Sequence, residues 1–349
     1  MMRFRIAVVL AGCSLGLLWG CQRRAERPAD QRGTFVVLDS SRAAVLIARD
    51  TVESFFDRVG RVDMGLQLQT CFPDTARRSR ILAEYRDRLR RDVSNFSERE
   101  EAILRSQLHI IRQWTIDMGV DLFPDSLFLL KSRGSLYGEG AFFTRGRAIV
   151  IPRSALERPN RAELRRTLLH ELFHIYSRLH PDQREALYRI IGFVPLDGPV
   201  HLPDAVAGRR LLNPDGLADS FALRLAYRGE ALLAYPLVRA NADCYQPEKE
   251  RYFAYLDFQV YPLRKREEGE GFSVTADSLG NSPFSYYELP GFFDQIGDNT
   301  SYIIHPDEIL ADNLALLFLL EYDARQLNDL ALSERGRQIL EDMREVLTR

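Results

Sequence analysis

Apolar and polar positions alternate along the chain with two different periods, and the changes of period mark its elements. A short apolar run at 35–38 predicts a strand, and apolar spacing of three to four residues then predicts amphipathic helices at 41–59 and 74–93. A third helix opens at Ser97, where Ser97-x-x-Glu100 has the form of a capping box, and closes near Gly119. The arginines between Arg77 and Arg91 are interleaved with Glu84 and Asp87, which reads as a solvated helix face. After that the period shortens. Residues 126–131 are apolar and strand-like, and two further runs within 141–151 flank Thr144-Arg145-Gly146-Arg147, a hairpin signal. Asn160 caps a helix with Glu163 at its third position, running to about 179, and a shorter helix follows at 182–191 before Gly192. The stretch 211–290 is mixed, with an aromatic strand-like piece at 252–261 and a turn signal at Asn213-Pro214-Asp215-Gly216. Helices return at 306–322 and 333–347. The class expected is α+β.

Composition narrows the function classes. The chain has 349 residues, 46% of them hydrophobic, enough for one large core or two lobes. With 47 Lys+Arg against 49 Asp+Glu it lacks the basic surplus of a nucleic-acid binder, and its charged and aromatic content argues against a disordered chain. Its longest uncharged apolar stretches, 6–19 and 314–320, fall short of the roughly 20 residues that cross a bilayer.

The N-terminus has the layout of an exported precursor: Arg3 and Arg5, an apolar segment, then small residues before cysteine. Two positions resemble the lipobox of bacterial lipoproteins. Leu10-Ala11-Gly12-Cys13 is closer in residue type but leaves a very short apolar segment; Leu18-Trp19-Gly20-Cys21 has the right length and an awkward Trp19. Cys21 is preferred. The resemblance implies a signal peptide at 1–21, a lipidated Cys21 and a protein held on the exported side of a bacterial membrane. A plain cleaved signal or a short uncleaved anchor is the alternative. Residues 22–33 are polar and without period, and read as a tether. Cys71 and Cys244 then remain in a compartment that permits disulfides, and either bridge each other or pack as separate thiols.

The chemistry concentrates in His170-Glu171-Leu172-Phe173-His174, an HExxH motif inside the capped helix at 160–179. Positions i and i+4 share a helix face, so both imidazoles reach one metal ion, and Glu171 between them is placed to take a proton from water. The plainer alternative is a helix with two unconnected histidines and an exposed glutamate. A catalytic zinc has three protein ligands and an open position. His180 has the spacing of the metzincin signature, but Ser177 stands where that signature has glycine. Without the bend, the helix turns His180 about 240° away from His174. Met343 is also poorly placed for a Met-turn. The other candidate is Glu308, the only glutamate after His174 with an aspartate, Asp312, four residues on. Pro306 opens its helix, and the continuation at 314–320 is apolar on every side, so these carboxylates sit at the root of a buried helix and need partners. The alternative is a helix N-terminus whose acids favour the macrodipole.

HExxH together with Glu308-x-x-x-Asp312 resembles the gluzincin zinc metallopeptidases, and with the lipobox the chain resembles uncharacterised bacterial lipoprotein peptidases. The resemblance implies a zincin-like catalytic domain over 34–349, with Zn2+ held by His170, His174 and Glu308, Asp312 supporting His170, and Glu171 as the base. It implies hydrolysis of peptide or protein substrates in the cell envelope, with the peptide added to a sheet edge within 140–151. Tyr302, His305 and His201 are candidates for stabilising the oxyanion. A different class is a catalytically silent, envelope-anchored scaffold or metal-binding protein, against which the retained Glu171 speaks. Expressed with its own N-terminus in a bacterium that processes lipoproteins, the protein should carry lipid on Cys21; mass spectrometry finding processing at Cys13, or no modification, overturns that site.

Overall fold

Leu127 and Leu129 face one apolar cluster while Leu130, on the same strand, faces another, and Ile149/Ile151 divide from Ala148/Val150 in the same way. This period-two division shows a sheet covered on both sides, which is why its strands read as nearly unbroken apolar runs. The computed structural model describes residues 34–349, apart from 51, 217, 218, 228, 250, 290 and 328–330; Cys13, Cys21 and the tether at 22–33 lie outside the described residues.

In chain order, β1 (Thr34–Val37) leads into the helices α1 (Ser40–Ile47), α2 (Phe55–Arg58), α3 (Arg61–Gln67) and α4 (Arg78–Asp92). Next come β2 (Val93–Ser94), α5 (Glu98–Met118), β3 (Ser126–Ser132), β4 (Phe143–Arg145) and β5 (Ala148–Pro152). The strands β1, β3, β5 and β4 lie side by side in that order, with β2 pairing β3. β1, β3 and β5 are parallel, and β4 returns antiparallel to β5 through the expected hairpin, Thr144 opposite Ile149. Helices α1 to α4 share a cluster with one face of this sheet, and α5 shares one with the other.

The chain continues through α6 (Ser154–Glu157), α7 (Arg161–Leu179) and α8 (Pro181–Ile190) into a second sheet. That sheet has β6 (Phe193–Pro195), β7 (Val200–His201), β8 (Phe221–Tyr227), β9 (Glu230–Ala240), β10 (Leu256–Lys265) and β11 (Phe272–Val274), with α9 (Asp204–Ala207) between β7 and β8. Its order is β6-β8-β9-β10-β11-β7. Then α10 (Phe292–Ile296), α11 (Pro306–Tyr322) and α12 (Glu334–Leu347) close the fold. α11 packs along α7 and also touches α8 and α12. Mixed helix and sheet make the class α+β, as the periodicity predicts.

Three expectations change. The helix expected at 41–59 stops at Ile47, because the Asp50 carboxylate accepts the backbone N–H groups of Val52, Glu53 and Phe55 at 2.9, 3.1 and 2.8 Å and fixes a turn there. The helix expected from 74 starts at Arg78, after a turn closed by the Ala76 N–H on Pro73 O (2.9 Å). In the aromatic stretch, Tyr252–Tyr255 is a 3-10 turn and the strand begins at Leu256. Its hydroxyls explain the turn: Tyr252 donates to Asp63 and Tyr255 to the Gln246 carbonyl, each at 2.9 Å. The β8–β9 hairpin had no forecast; Gly229, at φ +84°, makes its tight turn. The capping box at Ser97 and Glu100 is present as read, and Glu100 also pairs with the nearly buried Lys131 at 2.6 Å.

Cys71 and Cys244 form a disulfide, Cα–Cα 5.0 Å, across 173 residues of sequence. It ties the segment after α3 to the segment after β9. Replacing both cysteines by serine should lower the unfolding free energy by up to about 5 kcal/mol, the chain-entropy value for a loop of this length. Urea titration measures it, and an unchanged midpoint would mean that the bridge contributes nothing.

Candidate metal centre

α7 supplies the centre because its two faces differ. Leu164, Leu168, Leu172 and Phe173 sit in the main core, while His170, His174 and Arg178, at steps of one turn, form a polar row along its C-terminal half, which is buried from Glu171 to Arg178. Asn160 starts it, accepting the N–H groups of Ala162 and Glu163. α11 faces that row. Its N-cap is His305, whose Nδ1 accepts the Asp307 N–H at 3.1 Å; burial lowers the pKa of His305, which suits a neutral acceptor. Asp307 and Glu308 fall in the first turn and Asp312 one turn beyond Glu308. From Pro306 to Leu319 the helix is buried on nearly every side.

The geometry joins the two helices through carboxylates. Nε2 of His170 lies 3.0 Å from Glu308 Oε2, and Nε2 of His174 lies 3.5 Å from the same oxygen. The outer nitrogens have carboxylates behind them: His170 Nδ1 donates to Asp312 Oδ1 at 2.9 Å, and His174 Nδ1 to Asp307 Oδ2 at 3.0 Å. Asp312 is itself held by the Thr300 hydroxyl. Asp307 also accepts from Ser177 Oγ (2.6 Å) and the Tyr188 hydroxyl (2.9 Å). A carboxylate behind each imidazole turns the opposite nitrogen inward, the arrangement that metal-binding histidines use.

One ligand atom from each of His170, His174 and Glu308 lies within 4.8 Å of the others, and the same holds for Glu171, His174 and Asp215. These buried groups can hold a metal ion. Two orphaned atoms fit that use: His174 Nε2 and Glu171 Oε2 are buried without a hydrogen-bond partner. An unpaired polar atom in the interior is costly, and a cation between these donors would satisfy it.

Electrostatics point to the same place. Burial alone would lower the pKa of His170, but hydrogen bonds to Asp312 and Glu308 outweigh it and push it up to about 9. His174 is also buried, and the Glu308 charge and the bond to Asp307 raise it well above its ordinary value. Burial would raise Glu308, yet the two histidines hold it well below the usual carboxylate range. Glu171 goes the other way, pushed up to about 8 by burial and by the charge of Asp215. Positive charge is therefore favoured between the imidazoles and Glu308.

Several residues of the site gave no signal of their own in the sequence. The loop 211–216 lies over the centre: Asn213 Nδ2 donates to Glu308 Oε1 at 2.6 Å, and Asp215 Oδ1 accepts from Thr144 Oγ1 at 2.8 Å as well as from the Thr144 N–H. Gly216 permits this approach, since a Cβ there would meet His305 Cε1 at 3.0 Å. Buried Asp63 anchors the loop from beneath by accepting the Leu212 N–H at 2.9 Å. Arg178 holds the surroundings together, donating to Gly146 O, Thr144 Oγ1 and Asp215 O at 2.9–3.0 Å and to Glu53. Asp307 could have been suspected as the neighbour of Glu308. Asn213 and Asp215 were visible only as turn residues.

His180 ends α7, with Nδ1 2.9 Å from Tyr176 O and its ring stacked on Tyr176; it belongs to neither ligand group. Ser177 sits within the continuous helix, so the bend required by the metzincin spacing is missing. Of the oxyanion candidates, Tyr302 stacks on His170 with ring centroids 6.2 Å apart, whereas His201 lies on β7 against Arg266. The expected sheet edge is β4, but its residues are buried and the Thr144 N–H is taken by Asp215. The chain matches no family model, no curated protein and no solved structure.

In the metal-free protein, His170 and Glu171 both have folded pKa values above their unfolded ones, so their contribution is full at low pH and fades as they lose protons. Glu308, held low, stays ionised at neutral pH and above. Metal-free protein should therefore lose stability between about pH 4.5, where Glu171 of the unfolded chain ionises, and about pH 9, where His170 of the folded chain loses its proton, and bound metal should remove much of that slope by replacing the protons. Thermal unfolding across this range tests it; a flat profile without metal would contradict the shifts.

Proposed function

We propose that the protein is a zinc-dependent peptidase of the gluzincin kind, anchored through lipid on Cys21 in a bacterial cell envelope and acting on peptide or protein substrates there. The observation that carries this reading is the convergence of His170, His174 and Glu308, with Asp312 and Asp307 behind the two imidazoles. Two imidazoles and a carboxylate match the donor set of a catalytic zinc. When bound there, zinc acidifies water and polarises a carbonyl. The chain's own residues do the rest. Asp312 and Asp307 fix the tautomer and aim of the histidines. Glu171, at 4% exposure and with a ligand-capable oxygen within 4.8 Å of His174 and Asp215, is placed to take the proton of an attacking water and pass it to the leaving amine. Tyr302, stacked on His170, is a hydroxyl candidate for the oxyanion. A parallel sheet whose antiparallel edge strand precedes the HExxH helix supports a zincin-like core.

Full-length protein should hold about one zinc per chain by metal analysis after dialysis, and none bound or taken up would remove the proposal. Glu171→Gln should keep the metal and lose on the order of 10²- to 10⁴-fold in cleavage of an unstructured protein substrate. Equal cleavage by both forms would assign the activity elsewhere, and zinc without cleavage in the wild type would favour the silent metal-binding protein. In chelator competition, Glu308→Ala should weaken zinc binding most, Asp312→Ala by about 10- to 100-fold, and His180→Ala hardly at all.

A further inference from the structure

His170, His174 and Glu308 would give a metal ion three protein ligands and so leave it at least one further position, and Asn213 of the loop 211–216 reaches Glu308 at that centre. We propose that Asp215 is a further ligand of the bound metal, contributed by that loop, and that it fills the position a substrate group would otherwise take. The inference rests on the metal-centre reading.

Geometry carries it. Ligand atoms of Asp215, Glu171 and His174 lie within 4.8 Å of one another, and His174 is common to this group and to the group with His170 and Glu308. Two members of this group, His174 Nε2 and Glu171 Oε2, are among the buried side-chain atoms without a hydrogen-bond partner, so coordination beside Asp215 is unsatisfied. Asp215 is itself 7% exposed and held rigidly: the Thr144 N–H and hydroxyl both bond Oδ1, and Arg178 bonds its main-chain oxygen. Both side-chain bonds fall on Oδ1, so Oδ2 is the oxygen left for a metal. Asn213, two residues earlier, braces the outer oxygen of Glu308.

Charge makes the same demand. Asp215, Glu171 and Glu308 bring three carboxylates into one buried space, and buried carboxylates need a cation or a proton. Arg178 is close, but its hydrogen bonds go to Thr144, Gly146, Glu53 and the Asp215 carbonyl, not to the Asp215 carboxylate. A divalent ion between His174 and Asp215 answers the deficit.

The arrangement has a consequence for substrate. The Thr144 N–H belongs to the edge strand β4, the strand from which a peptide added to this sheet would take hydrogen bonds. Asp215 occupies that donor. A peptide must therefore displace one side chain from both the strand and the metal, and the two steps are coupled.

Cobalt substitution tests this without relying on turnover, since the visible absorption of Co2+ reports its ligand set and acetohydroxamate is a small probe for the open position. In full-length Co2+-loaded protein, Asp215→Ala should change the visible spectrum and bind acetohydroxamate about 10-fold tighter or more, because a group that holds the position about 90% of the time lowers apparent affinity by that factor. Asp215→Asn keeps an oxygen for Thr144 and guards against a folding artefact; it should fall between wild type and Asp215→Ala. If both variants bind Co2+ with the wild-type spectrum and hydroxamate affinity, with unchanged circular dichroism, Asp215 is not a ligand and the metal centre stands without it. If wild type takes up no Co2+, the metal-centre reading fails and this inference fails with it.

Discussion

Two imidazoles and the carboxylates of Asp307, Glu308 and Asp312 meet where α7 packs along α11, and the rest of the architecture follows from keeping that cluster both buried and paired. Charges in a protein interior are tolerated only when opposite charges and hydrogen bonds lie within reach, and removing one partner typically costs about 3–5 kcal/mol. Here His174 is fully buried between Asp307 and Glu308, and His170, partly buried, lies between Glu308 and Asp312. Neither helix can shift by even a fraction of a turn without uncoupling a pair. The apolar length of α11 supplies the packing that holds it in register: Leu310, Leu314 and Phe318 are fully buried.

The same constraint explains the neighbouring groups. Ser177 and Tyr188 complete the hydrogen bonds of Asp307, which frees its second oxygen for His174, and Thr300 does the equivalent for Asp312. Arg178, four residues after His174, takes the cationic role one turn further along α7 and gathers the β4–β5 hairpin, the loop 211–216 and Glu53 around itself. On the far side, Asp63 receives Gln67, Tyr252 and the Leu212 N–H, so the loop over the centre is fixed from the helical layer below as well as from the sheet. A site with so many buried polar groups is rigid when satisfied, and preorganisation of that kind is what a metal centre needs to keep its geometry.

Local chemistry made much of this readable in advance. The capping box at Ser97, the Asn160 cap and the glycine stops at Gly119 and Gly192 act within a few residues of chain, so the helices they delimit were predictable. HExxH was readable because the helix period itself puts His170 and His174 on one face, and Glu308 with Asp312 because their spacing is again one turn in a helix opened by Pro306. The helix expected at 41–59 failed where one side chain, Asp50, competed for three backbone donors. The β8–β9 hairpin went unforeseen because its strands gain their stability from neighbours distant in sequence.

Helix period and capping depend on neighbours three or four positions apart, so the chain's own pattern was enough to give the class, the helix that carries His170 and His174, and the residue types able to hold a metal. It took the packed fold to bring Glu308 to 3.0 Å from His170, to set Asp307 behind His174, to join Cys71 to Cys244, and to carry Asp215 from a turn to the edge of β4. Those contacts join residues 71 to 173 positions apart, and no local preference encodes them. They are set by how the apolar faces of α7, α11 and the two sheets pack, and by the requirement that every charge buried in that packing find a partner.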